Sequence, residues 1–164
     1  MRALVVVAVL SGTAVAAPVQ LTWVVHPANG ETLESKVELE VTNGGKTSTI
    51  KLEPKVGALL SLNEVECKTA AYPLEKNEVA KITFYEGGAD GYLVRRRGSA
   101  YELVDWFLTD GGCDDKHGNI TACPRQEKRV QTVAIPAKAT LVESIVQVDA
   151  AGKRTPFVCD APTP

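Results

Sequence analysis

The chain reads as an all-β protein, an antiparallel β-sandwich of Ig-like architecture whose topology the sequence leaves open. Two observations predict it. Apolar and polar residues alternate with period two through most of the chain, which sets one face of each strand toward a core. Turn-forming residues interrupt that alternation at short intervals, and no later segment holds a 3.6-residue apolar period for three turns. A small closed β-barrel is the runner-up, because it too would hide its sheet edges.

The N-terminus is read differently. Arg2, an apolar run from Ala3 to about Leu10 and the small residues that follow have the form of a secretory signal peptide over residues 1–16. Cleavage after Ala16 is preferred, since cleavage after Ala17 would put Pro18 next to the scissile bond. The apolar run is shorter than the roughly 20 residues a membrane helix needs. The expected product is secreted or periplasmic, with no membrane insertion after cleavage.

The first secure hairpin follows. Val37, Leu39 and Val41 share one strand face and Glu38 and Glu40 the other; Asn43-Gly44-Gly45 supplies a turn, and Ile50 and Leu52 mark the return strand. Leu59, Leu60 and Leu62 fit either a short helical turn or a strand. Ala80, Ile82 and Phe84 then alternate with Lys81, Thr83 and Tyr85, and Gly87 to Gly91 reads as a loose turn into Tyr92-Leu93-Val94. Beyond Gly98-Ser99, Val104, Trp106 and Leu108 face one way and Tyr101, Leu103 and Phe107 the other. That strand is expected to be buried on both sides. Later strands are placed at about Arg129–Ile135, Thr140–Val148 and Thr155–Cys159, with a turn over Asp149 to Lys153. Pro54, Pro73, Pro124 and Pro136 fall between strands, where a missing N–H is harmless. Residues 17–159 are expected to form one domain and 160–164 a flexible C-terminal tail.

The 164-residue chain carries a formal charge of −2 with both signs interspersed. That balance disfavours nucleic acid as a partner. Cys67, Cys113, Cys123 and Cys159 are an even set in an exported chain, so two disulfides are expected. Cys113–Cys123 with Cys67–Cys159 is the preferred pairing, because Cys113 and Cys123 stand at the two ends of a hairpin loop. A true immunoglobulin domain is not indicated, since Cys67 and Trp106 lie too far apart for neighbouring strands.

The segment from Asp110 to Arg125 is the candidate binding loop, with Asp110, Asp115, His117 and Asn119 as its polar groups. Asp114, Asp115 and His117 are the residues a metal would use, and calcium suits carboxylate and amide oxygens on a glycine-bearing loop. The EF-hand register fails, because it puts Cys113 where the first Asp is needed. Asn119-Ile120-Thr121 is an N-glycosylation sequon. Arg95-Arg96-Arg97 reads as a solvated strand end whose alternate side chains diverge, and His26 as a strand-end histidine. Trp23 and Trp106 read as core anchors, Trp23 the weaker because of its place near the N-terminus. No catalytic residues and no cofactor are nominated. The expectation is a non-enzymatic module that binds a protein or a cell-surface component, of open oligomeric state. The alternative is a small metal- or carboxylate-dependent hydrolase using the Asp110–Arg125 loop.

Overall fold

The computed structural model describes residues 17–28, 33–59 and 74–157. The leader, Leu60, Leu62, Cys67, Pro73, Cys159 and the C-terminal tail lie outside them, and with them the proposed Cys67–Cys159 link.

The described residues are all-β. β1 (Val19–His26), β2 (Glu34–Asn43), β3 (Lys46–Lys51), β4 (Lys55–Val56), β12 (Leu141–Val148) and β13 (Arg154–Pro156) form one sheet in the order β13-β12-β1-β2-β3, with β4 paired to the start of β2. The second sheet runs β11-β8-β7-β6-β5, built from β5 (Ala58–Leu59), β6 (Glu78–Tyr85), β7 (Gly88–Arg97), β8 (Ala100–Thr109) and β11 (Gln126–Val133). β9 (Gly112–Asp114) and β10 (Ile120–Ala122) make a separate two-stranded hairpin. Among the described residues neither large sheet closes on itself, so the architecture is the sandwich and not the closed barrel. One pair departs from the antiparallel pattern: β1 runs parallel to β12.

The core sits between the sheets. β1 contributes Leu21, Trp23 and Val25, β2 contributes Val37, Leu39 and Val41, and β6 contributes Ala80, Ile82 and Phe84. Tyr92, Val94, Tyr101 and Leu103 join it from β7 and β8. Trp23 is fully buried although it lies near the N-terminus, because β1 is an inner strand flanked by β12 and β2. The Asn43 hairpin closes as its sequence predicts, with positive φ at Gly44 and Gly45.

The Gly87–Gly91 segment needs correcting. Only Glu86 and Gly87 lie outside strands there, and β7 already begins at Gly88. Gly91 is a strand residue whose added Cβ would stand 2.0 Å from the Ile82 carbonyl oxygen, so this glycine serves close backbone approach, not a turn. β11 likewise begins at Gln126, three residues earlier than its sequence suggests, and carries an irregularity between Arg129 and Gln131.

β8 is buried on both faces, as its apolar residues predict. Tyr101 and Leu103 enter the core between the sheets, whereas Val104 and Trp106 join Ala89 and Leu93 in a second cluster on the far face of the sheet.

Candidate functional site

The Asp110–Arg125 segment is a pinned hairpin. Cys113 and Cys123 are disulfide-bonded, with Cα atoms 4.9 Å apart. That bond fits an oxidising compartment. At the tip, the Asp115 carboxylate turns inward on its own backbone. Oδ1 accepts the His117 and Asn119 amides at 2.7 and 2.9 Å, and Oδ2 accepts Asn119 Nδ2 at 3.2 Å. The Asn119 amide, then the His117 amide, hold the Asp115 carboxyl below the usual aspartate range.

Asp115 therefore organises the turn and does not gather with Asp114 and His117 around a common point. Among the described residues no group of three or more His, Cys, Asp or Glu side chains is placed to hold a metal ion. Asp110 is used elsewhere, as acceptor for the Tyr85 hydroxyl. Asn119 is exposed, and Thr121 of its sequon donates its hydroxyl to the Cys113 carbonyl at 3.2 Å. The hairpin's outward apolar group is Ile120, 78% exposed.

A second constellation forms on the far face of the β11-β8-β7-β6-β5 sheet. Trp106 lies at its centre, 1% exposed. Lys81 Nζ stands 5.3 Å and the Arg125 guanidinium carbon 5.8 Å from the ring centroid, both within cation–π range. Arg125 pairs with Glu78 and Glu75 at 2.8 Å and with Glu127 at 2.5 Å, and Lys81 pairs with Glu78 at 2.5 Å. Arg95 links Glu127 to Glu102, and Arg97 and Arg129 approach Glu102 at 3.5 and 3.6 Å. Burial pushes the Glu78 carboxyl up, but the Glu75 amide, Lys81 and Arg125 together bring it below its usual value. The Arg95 hydrogen bond lowers Glu102 in the same direction. Arg95 and Arg97 thus share a face while Arg96 turns away to the Gly98 carbonyl, the divergence that strand geometry predicts.

A third group lies between the sheets. Lys55 on β4 is 7% exposed, and its Nζ stands 2.7 Å from both Asp90 Oδ1 on β7 and Asp105 Oδ1 on β8. The same nitrogen is 4.5 Å from the centroid of the Tyr92 ring. The Tyr92 hydroxyl donates to the Glu53 carbonyl at 2.8 Å. Burial, then the negative field of Asp105 and Asp90, raises the Tyr92 pKa and keeps the phenol protonated. A cleft of about 260 Å³ opens beside the cluster, lined by Leu52, Tyr92, Asp105, Lys128 and Val130 among others.

Beside β6, one carboxylate fastens the two sheets. Glu143 Oε1 accepts both Trp23 Nε1 and the Lys81 amide at 2.7 Å. Much of the Glu143 side chain is exposed, yet its carboxylate is enclosed between these donors, and burial raises its pKa. His26 ends β1 and lines a separate cleft of about 500 Å³ with Glu34, Lys36 and Asp149.

The sequence pointed to the hairpin and missed the two buried charge clusters. Lys55, Glu78, Lys81, Asp90, Glu102 and Asp105 are scattered over some 50 residues, and no local motif joins them. The two-sided apolarity of β8 was the available signal that its far face is covered. Compared with family models, curated proteins and solved structures, the chain matches none.

Proposed function

We propose that this chain is a secreted or periplasmic, non-enzymatic binding module that contacts a protein or cell-surface component through the β9–β10 hairpin. The observation that carries this reading is Ile120: a large apolar side chain, 78% exposed, on a hairpin closed by a disulfide and by a self-bonded Asp115 turn. An exposed aliphatic group on a rigid support loses little conformational freedom when a partner covers it, and pre-organisation of this kind favours binding. Asp114, Lys116 and His117 surround it as exposed polar groups suited to an interface rim.

A photo-crosslinking benzophenone amino acid at position 120, in cells that export the protein, tests the assignment. A control at Val142, itself 46% exposed on β12, reports random encounters. A discrete adduct at position 120 and none at position 142 supports the hairpin. Equal labelling at both positions, or none at 120, removes it.

A further inference from the structure

The cluster of Lys55, Asp90 and Asp105 is an unusual arrangement of charge. One buried ammonium faces two carboxylates at the same 2.7 Å, so the three groups together carry a negative charge. Lys55 is 8% exposed at its side chain, and the face of Tyr92 closes one side. Ion pairs taken out of water gain little net stability, and an unmatched charge beside them costs more. The same contact is also a reactive geometry. A primary amine held against a carboxyl group between two sheets is a pair of reactants at high effective concentration.

We propose that Lys55 and Asp90 condense to an intramolecular amide, with Asp105 as the proton-transferring group. This stands apart from the hairpin reading and does not depend on it. Proton transfer along the 2.7 Å contact converts the Lys55 ammonium and Asp90 carboxylate into amine and acid. Nζ attacks Cγ of Asp90 and the Nζ–Cγ bond forms. Asp105, 2.7 Å from the same nitrogen, takes the proton that nitrogen sheds and returns it to the departing hydroxyl. The Cγ–O bond breaks and one water leaves. The balance is an ammonium and a carboxylate in, an amide and a water out, with Asp105 regenerated and no oxidant or cofactor required.

The division of roles follows from placement. Asp105 lines the cleft and sits directly opposite Lys128 in the β8–β11 ladder. Asp90 does not line that cleft, and its side chain and that of Asp105 are each 30% exposed, enough for water to escape. The bond would join β4, hydrogen-bonded to β2 of one sheet, to β7 of the other.

Intact mass of the exported protein, reduced and alkylated, is the test, read together with its tryptic digest. The expected result is a mass one water below that of the mature sequence. The digest should hold a branched species joining residues 52–68 to 82–95 through Lys55 and Asp90. Lys55→Arg, which keeps the charge but cannot form this amide, should restore the full sequence mass, as should Asp105→Ala. A wild-type chain at full sequence mass with no branched peptide overturns the proposal whatever the variants do. So does a water loss that persists in Lys55→Arg, which would assign it to dehydration elsewhere. A branch at Asp105 in place of Asp90 overturns the assignment of roles.

Discussion

The tip of the β9–β10 hairpin and the far face around Trp106 are both organised by carboxylates, and they are held in opposite ways. Asp115 is half-buried in a surface turn and bonds to residues two and four positions ahead of it. Glu78 and Glu102 are buried and bond to Arg125, Lys81, Arg95 and Arg97, reached from two strands and the segment before β11. The first arrangement exists wherever a short loop closes. The second exists only when the whole sheet is assembled, and it covers an apolar pad that would otherwise be wet. Local carboxylates shape a surface feature here, whereas distant ones seal a second core.

Removing the centre of the far face is the severest way to break this contrast. Trp106→Ala deletes a buried aromatic and the ring under two cations, and should cost about 3–5 kcal/mol of unfolding free energy in urea. Phe107→Ala is the matched control, since that neighbour is 40% exposed; equal losses from the two would mean that the far face is no core. Next in size is the pinned hairpin. Cys113→Ser together with Cys123→Ser releases a loop of sequence separation 10 and should lower stability by about 2–3 kcal/mol in the loop-entropy account. Limited proteolysis should then cut first near the tip, and a cut first elsewhere would deny the hairpin its local role.

Glu143 sharpens the comparison because its carboxylate serves two sheets at once. Glu143→Ala leaves the buried Trp23 Nε1–H without this acceptor and should cost about 1–3 kcal/mol. Glu143→Gln keeps an acceptor and discards the charge. Because the folded pKa of Glu143 is raised, its contribution is full below the unfolded glutamate value and is lost as pH rises through the folded one. Wild type should therefore lose ground to Glu143→Gln between acidic and neutral pH in parallel urea titrations. Glu78 and Glu102 have the opposite sign: their lowered pKa values give stability above the unfolded value that is lost as pH falls through the folded one. The smallest effect belongs to Asp115→Ala. It should speed hydrogen exchange at the His117 and Asn119 amides and leave the urea midpoint in place; a shifted midpoint would make the turn part of the core.

The same contrast explains what was legible in the sequence. Alternation in β2, β6 and β8 revealed the strands and their buried faces, because the side-chain period is a local property. The Cys113–Cys123 pair was legible because a hairpin loop brings its own ends together. The parallel β1–β12 pair was not, since pairing over some 120 residues leaves no mark on either strand. Neither was the Lys55 cluster, which needs β4 of one sheet to meet β7 and β8 of the other. Gly91 misled for a physical reason: a residue without a Cβ suits both a turn and a crowded strand, and only the partner strand tells which.

The β1–β12 ladder also decides how the molecule would answer to force. Because these two strands run parallel, pulling the start of β1 away from the end of β12 slides one along the other. Seven residue pairs, Val19↔Leu141 to Val25↔Gln147, then bear the load together, not in sequence as in an unzipping hairpin. β13 is joined antiparallel to β12 by three pairs and would peel first, after which the tension falls on the shear-loaded ladder. The two ends of the described chain thus meet in the part of the sandwich best placed to resist being drawn apart.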